Sequence, residues 1–189
     1  MEWYTAADKF TEALASSDPT PGGGAAAAQA GAMGCALAMM AVGTTLKRKA
    51  TPPADKPVLE ASLKCFAALK NELKIYVKQD GEAYAAFITV QKLPKDNPDR
   101  ESAMQNALWQ AAKVPADAAA TAVRALKELD EIKDRVAAII LSDVVCARHL
   151  LQACIRCAAE NVRANQAYIK NADKTAELDK LTKSFLKFC

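Results

Sequence analysis

The chain has 189 residues, a length that suits a single domain with a core built from several long helices. Its 25 basic and 22 acidic residues leave a formal charge of +3, which is too small and too mixed to indicate nucleic-acid binding. Although 51% of the residues are hydrophobic, only 6% are aromatic, and this alanine- and leucine-rich composition favours helices over a sheet.

The six cysteines show no disulfide-scaffold spacing, which indicates free thiols in a reducing cytoplasm. The pair Cys154 and Cys157 has the spacing of a metal clip, but no second pair accompanies it, so we predict no metal and no cofactor. The residues after Met1 lack the basic start and apolar run of a signal peptide, and we expect a cytoplasmic protein.

Helical periodicity predicts six elements in chain order. Thr5 and Asp8 resemble a capping pair that opens the first helix, which ends before a segment rich in Pro and Gly. From 25 to about 46 nearly every residue is small or apolar, which predicts a central, buried helix rather than a membrane span.

Four further helices follow, at 55–91, 98–129, 134–168 and 173–189. Asn97 and Pro98 predict a cap and a first-turn proline, whereas Pro115 should kink or split its helix. We therefore predict one all-α domain over 1–189, a bundle of five to six long helices around a central small-residue helix.

Asp80 interrupts an apolar stripe that otherwise runs from Leu69 to Phe87, with Tyr84 one turn further on. A carboxylate in such a stripe is costly unless it is paired, hydrogen-bonded or protonated, and functional acids often arise in this way. We predict that Asp80 projects into an interhelical cavity; the alternatives are a helix end or a buried ion pair with a lysine.

Asp143, beside Ser142, interrupts the stripe of the fifth helix in the same way. Asn161 shares its face but lies 18 residues further along, roughly 27 Å away, so the two cannot hold one small group. They could serve opposite ends of a long ligand, or two separate structural purposes. For Asn161 and Asn165, hydrogen bonding between helices is an equally good explanation.

Pro21, Gly22, Gly23 and Gly24 lead into the small-residue helix. Free N–H groups at a helix N-terminus can bind an anion, and glycine allows a ligand to touch the main chain. The alternative is a sharp turn with no ligand. The segment is not a P-loop, because no Gly-Lys-Ser/Thr follows it.

With these residues in place, the chain resembles the family of formiminotransferase-cyclodeaminase C-terminal domains, which also contains free-standing methenyltetrahydrofolate cyclohydrolases. The most specific part is the Pro-Thr-Pro-Gly-Gly-Gly segment followed by the small-residue helix. The matching stretches keep the family's order and cover nearly the whole chain: 19–25, 80–84, 92–95, 111–115, 142–143 and 160–165.

The resemblance implies an all-helical protein that forms dimers or larger oligomers and acts on one-carbon units carried by tetrahydrofolate. It implies that Asp80 and Asp143 are the catalytic acids, Asp80 for proton transfer and Asp143 for orienting the pterin or supporting a proton shuttle. Lys47, Arg48 or Lys49 would receive the anionic glutamate tail. The full set of expected substrate-binding residues is Pro21, Gly22, Gly23, Gly24, Tyr84, Ser142, Lys49 and Asn161.

The family carries out two reactions. A cyclohydrolase converts 5,10-methenyltetrahydrofolate and water to 10-formyltetrahydrofolate, and a cyclodeaminase releases ammonia from formimidoyltetrahydrofolate. Because the chain carries no formiminotransferase, we expect a cyclohydrolase, with the cyclodeaminase as the alternative. The small-residue helix and the exposed apolar faces expected of such a bundle predict a homodimer. It departs from the family at Ala25 (usually Ser), at Gly43 (usually Asn) and at 134–141 (usually rich in Gly and Asn). These departures support a different alternative, a helical binding module without folate chemistry.

Overall fold

The computed structural model describes residues 2–189, except for the side chain of Trp3. A 3₁₀ turn, Ala138–Ile140, precedes the fifth helix, and no strand occurs in the described residues. The predicted all-α bundle is confirmed. The helices are α1 (Trp3–Ala15), α2 (Gly23–Leu46), α3 (Lys56–Gln91), α4 (Arg100–Ile132), α5 (Leu141–Gln166) and α6 (Ala172–Leu186).

The small-residue helix α2 lies at the centre, packed between α3 and α5 with α4 behind it. Its glycines allow α5 to approach closely. A Cβ atom at Gly31 would lie 2.9 Å from the Sγ of Cys154, and one at Gly34 would lie 2.9 Å from the Cγ of Leu151. Since α2 residue numbers rise where α5 numbers fall, the two helices are antiparallel, and the start of α2 meets the end of α5.

Two helical stretches, Gly23–Leu46 and Ala138–Gln166, are long and apolar enough to cross a membrane. A core helix of a soluble protein meets the same criterion. More than half of the apolar window of α2 is covered by the rest of the chain, as expected for the centre of a bundle. The packing of α2 therefore accounts for its composition.

Four helix starts lie two or more residues from the predictions: α2 begins at Gly23 rather than at 25, and α1, α4 and α5 differ as follows. The first helix begins at Trp3 without a side-chain cap, so Thr5 and Asp8 are not a capping pair. The fourth begins at Arg100 and not at Pro98, because the Oδ1 of Asn97 accepts from the N–H of Asp99 and forms a turn instead of a cap.

The fifth helix begins at Leu141 and not near 134. The preceding connection is held elsewhere: Arg135 pairs with Asp55 at 2.5 Å, and the N–H of Ala137 donates to the Oγ1 of Thr45 at 3.1 Å. These bonds tie the connection to the end of α2 and the start of α3, and they compete with a helix over the same residues.

Helix α4 continues through Pro115, so the alternative of a split helix is wrong. A proline has no N–H, and the carbonyl of Ala111, four residues earlier, therefore lacks its usual intrahelical donor. The side-chain Nδ2 of Asn165 donates to this carbonyl at 3.1 Å. The hydrogen bond that proline removes is replaced by one from α5.

Candidate active site

A pocket of about 380 Å³ opens where the start of α2 meets α3, α4 and the end of α5. Its lining includes polar groups and glycines: Thr20, Gly22, Gly23, Gly24, Asp80, Asn161 and Asn165. It also includes apolar and aromatic side chains: Pro19, Tyr84, Phe87, Leu108, Ala111, Ala164 and Tyr168. A cavity of this size with a few converging polar groups has the character of a small-molecule site.

Asp80 of α3 caps the N-terminus of α2. The backbone N–H of Ala25 donates to its Oδ2 at 2.9 Å, and the N-cap residue Gly22 offers no side chain for this purpose. A Cβ atom at Gly24 would lie 2.7 Å from the Cγ of Asp80 and closer still to Oδ1. A side chain at position 24 would therefore displace the carboxylate of Asp80.

Burial and hydrogen bonding act on Asp80 in opposite directions. Desolvation raises the pKa of this carboxyl above its ordinary value, and the N–H of Ala25 lowers it by a smaller amount. The positive end of the α2 dipole further favours the ionised form. Among the described residues that line the pocket, Asp80 is the one charged side chain, so the site is suited to a cationic group and to proton exchange.

Two amides lie on the α5 side of the pocket. The Nδ2 of Asn161 donates to the carbonyl of Cys157 at 2.8 Å. The Nδ2 of Asn165 donates to the carbonyls of Ala111 and Asn161, at 3.1 and 2.9 Å. Because backbone carbonyls only accept, both nitrogens must face the main chain. Each amide therefore retains an Oδ1 that has no protein donor within residues 2–189.

Aromatic side chains line the mouth of the pocket. Tyr84 is 37% exposed and lies 6.5 Å from Phe87, measured between ring centroids. Tyr168 is 70% exposed, yet its backbone is fixed, because the side-chain amide of Gln105 donates to the carbonyl of Tyr168 and accepts from the N–H of Lys170. Such rings provide flat apolar surfaces against which an aromatic ligand can stack.

The pocket brings together residues from four of the six stretches that carry the family resemblance, namely 19–25, 80–84, 111–115 and 160–165. A direct comparison tests that resemblance. The sequence model of the family described as formiminotransferase-cyclodeaminase matches residues 6–184. The chain belongs to this family.

Individual members of the family give the same result. Over 165 residues the chain is 33% identical to methenyltetrahydrofolate cyclohydrolase of Methylorubrum extorquens, a match that covers 84% of this chain and 77% of the relative. Over 160 residues it is 31% identical to formimidoyltransferase-cyclodeaminase of Rattus norvegicus, with 82% of this chain but only 29% of that relative covered. The crystal structure of formiminotetrahydrofolate cyclodeaminase from Thermotoga maritima matches with a TM-score of 0.80 at 25% identity, over 100% of this chain and 93% of the other.

The pocket brings together six of the predicted residues: Gly22, Gly23, Gly24, Asp80, Tyr84 and Asn161. Pro21 follows a cis peptide bond and lies beside the pocket, while its neighbours Pro19 and Thr20 line the wall. Sequence reasoning missed Tyr168 and Leu108 as lining residues. No local pattern distinguishes them from other apolar positions, because their role depends on how α4 and α5 converge.

Ser142, Asp143 and Lys49 lie outside this pocket. Ser142 and Asp143 occupy the first turn of α5, roughly 27 Å from Asn161 along that helix. Lys49 is exposed beyond the C-terminal end of α2, whose N-terminal end borders the pocket. Within one chain, these residues therefore cannot contact the same small group as Asp80.

The three departures from the family's sequence pattern also lie outside the pocket lining. The methyl group of Ala25 is buried, and this residue contributes its N–H to Asp80 rather than a side chain to the cavity. Gly43 and the segment 134–141 lie at the far end of α2, where Thr45 bonds to Ala137. None of these changes removes a group that faces the pocket.

Cys154 and Cys157 do not form a metal clip. Cys154 is buried against α2 and Cys157 is exposed, although they are three residues apart on the same helix. Within residues 2–189, no group of three or more His, Cys, Asp or Glu side chains is arranged to hold a metal ion.

Proposed function

We propose that this chain is a methenyltetrahydrofolate cyclohydrolase, which converts 5,10-methenyltetrahydrofolate and water to 10-formyltetrahydrofolate. The observation that carries the proposal is the carboxylate of Asp80, the one charged group lining the pocket, fixed above Gly24. The methenyl bridge is a cationic amidine, and a pocket with one carboxylate and no lysine or arginine in its lining complements that charge.

Asp80 is suited to both proton transfers of this reaction. As water adds to the methenyl carbon, the carboxylate accepts a proton from it and a tetrahedral hydroxyl adduct forms. The acid then returns that proton to N5, the bond between N5 and the carbon breaks, and the hydroxyl proton leaves to solvent as the formyl group forms on N10. A raised pKa assists both steps, because the group can release as well as accept a proton.

The remaining pocket groups fit the rest of the substrate. Tyr84, Phe87 and Tyr168 offer apolar rings for the aminobenzoyl part of the substrate. The side-chain amides of α5 provide polar groups in the same lining. Since the pocket lining holds no cation, the anionic glutamate tail would extend towards solvent. We infer no cofactor beyond the folate substrate itself and a cytoplasmic location, in keeping with six free thiols.

The decisive experiment follows the absorbance of 5,10-methenyltetrahydrofolate with the wild type and with Asp80→Asn. We expect the variant to lose about 10²–10⁴-fold in turnover, the usual contribution of a general acid–base group. Asp96→Asn, an exposed aspartate in the loop before α4, serves as the matched control and should retain full turnover. A folded Asp80→Asn variant with wild-type turnover would refute the assignment.

Asp143→Asn tests the second predicted acid. Its position at the other end of α5 leads us to expect turnover within about twofold of the wild type. A loss as large as that of Asp80→Asn would show that the reaction uses groups outside this pocket.

Cyclodeamination is the second candidate, favoured by the match to the Thermotoga maritima cyclodeaminase over the whole chain. It also needs a carboxylate beside a cationic amidine, and the same pocket could serve it. Supplying formimidoyltetrahydrofolate and measuring released ammonia distinguishes the two reactions. If folate derivatives fail to bind at millimolar concentrations, the chain is instead a binding module that uses the fold for another purpose.

We further propose a homodimer formed through the outer face of α2. Met33 and Met40, seven residues apart on one face, are 45% and 44% exposed, which is unusual on the central helix of a bundle. A second copy packed on this face would complete the burial of α2. Light scattering should show a dimer for the wild type and a monomer for Met40→Glu; a monomeric wild type would contradict the proposal.

A further inference from the structure

The strongest remaining feature of the pocket is the way one helix break orients its amide side chains. Pro115 cannot donate to the carbonyl of Ala111, and that carbonyl instead accepts from the Nδ2 of Asn165. The same nitrogen also donates to the carbonyl of Asn161. With both of its hydrogens directed at main-chain oxygens, the amide of Asn165 can offer a ligand only its oxygen.

Asn161 lies one turn earlier on α5. Its Nδ2 donates one hydrogen to the carbonyl of Cys157, which leaves its Oδ1 and its second N–H without a protein partner within residues 2–189. The Nδ2 lies 3.2 Å from the position that a Cβ atom at Gly23 would occupy. Residues four apart on a helix share a face, with Cβ atoms about 5–6 Å apart. The two side chains therefore lie on the same face of α5 and both line the pocket. Their Oδ1 atoms are called here the acceptor edge.

We propose that this acceptor edge reads the N–H groups of the folate's pterin ring, and that Pro115 is a positioning residue for it. The 2-amino-4-oxopyrimidine part of a pterin carries adjacent N–H donors, at its amino group and at N3. Two oxygens with no protein donor of their own are complementary to such donors. An analogue without them would cover these oxygens and leave them unpaired, and that penalty provides selectivity.

This inference rests on the proposed function for the identity of the ligand, and it places the pterin along α5 with the one-carbon bridge towards Asp80. It assigns Pro115 a role that its burial alone does not suggest. A proline inside a helix normally destabilises it. Here the carbonyl that it leaves without a donor, that of Ala111, orients the ligand-binding amide of Asn165.

The test uses Asn161→Ala and Pro115→Ala, with Asn71→Ala on the exposed face of α3 as the control. Pro115→Ala restores a backbone N–H that competes for the carbonyl of Ala111, so the amide of Asn165 loses its fixed orientation. Because alanine suits a helix interior better than proline, this variant should melt at or above the wild-type temperature. If Pro115 had only a structural role, a folded Pro115→Ala variant would bind the ligand as the wild type does.

Kinetics with 5,10-methenyltetrahydrofolate provide the first measurement. For Asn161→Ala and Pro115→Ala we expect KM to rise about threefold to tenfold, the loss of one neutral hydrogen bond, with kcat nearly unchanged. Asn71→Ala should match the wild type. Unchanged KM in both pocket variants would overturn the inference and leave the proposed function intact.

Fragment binding, measured by calorimetry without turnover, separates this inference from the proposed function. Tetrahydropterin should bind the wild type and bind both pocket variants more weakly, whereas p-aminobenzoylglutamate should bind all of them equally. Equal weakening of both fragments would indicate a general change in the pocket and would overturn the inference. Selective weakening of tetrahydropterin in a protein that shows no turnover would uphold the acceptor edge while refuting the cyclohydrolase.

Discussion

Replacing Gly24 by alanine tests the central geometry of the site with a single methyl group. That methyl carbon would lie 2.7 Å from the Cγ of Asp80 and closer to its Oδ1, whereas ordinary contacts begin at 3.4 Å. To restore normal contact, the carboxylate must withdraw by roughly 1 Å, and a displacement of this size at a reacting group costs on the order of 10²-fold in rate. The 2.9 Å bond to Ala25 would be lost with it.

Gly43→Ala is the matched control, because it makes the same substitution in the same helix where no atom lies within 4 Å of the new methyl group. Alanine is the better helix former by about 1 kcal/mol, so this variant should gain stability and keep full turnover. In Gly24→Ala the similar gain is offset by the lost cap, worth about 1 kcal/mol, and the melting temperature should change little.

The assay pairs turnover of 5,10-methenyltetrahydrofolate with thermal unfolding for both variants. We expect a drop of about 10²-fold for Gly24→Ala at nearly unchanged melting temperature, and wild-type turnover for Gly43→Ala. Equal turnover in the two variants would refute the reasoning, because it would mean that the position of the Asp80 carboxylate is irrelevant to the reaction.

Two further predictions concern titrating groups. Since burial raises the pKa of Asp80, turnover should fall on the acid side at a higher pH than an exposed aspartate would give, and a fall at the ordinary aspartate pKa would contradict this. A raised folded-state pKa also means that the ionised form destabilises the fold. Asp80→Asn should therefore not lower the melting temperature at neutral pH. Burial raises the pKa of Cys35 and of Cys154 to about 12, so a thiol reagent at pH 8 should label the exposed Cys146 and Cys157 first. Rapid labelling of all six cysteine thiols in the folded protein would contradict the burial of Cys35 and Cys154.

Asp80 and the glycine turn could be predicted from the sequence because each is a local anomaly. A carboxylate at an apolar position and three adjacent glycines stand out against a helical pattern without any knowledge of the neighbours. Their contact could not be predicted without the topology, because Asp80 and Ala25 are 55 residues apart in the sequence. Asp143 produces the same local signal, yet it lies at the opposite end of the bundle. The sequence could not distinguish the two aspartates, because periodicity predicts which face of a helix a residue occupies but not which neighbouring helix it meets there.

The link from Pro115 to Asn165 could not be predicted for a related reason. A proline in a helical stretch predicts a lost hydrogen bond but does not say what replaces it. The replacing donor, Asn165 of α5, lies 54 residues from the carbonyl of Ala111. The start of α5 differs from the prediction because the residues before it bond to other elements, as Arg135 does with Asp55. In these two cases a tertiary contact overrode a local preference, whereas the start of α4 follows from the local turn in which Asn97 accepts from the N–H of Asp99.

The bond between Ala25 and Asp80 has a consequence for how the protein acquires its active site. The first turn of α2 has no cap of its own, since its N-cap is glycine, and it takes one from a helix formed later in the chain. The N–H of Ala25 gains this acceptor only when α3 docks against the turn. The N-terminal end of α2 and the position of the Asp80 carboxylate are therefore established together. A compact chain in which α3 has not docked would contain helices but would lack the candidate active site.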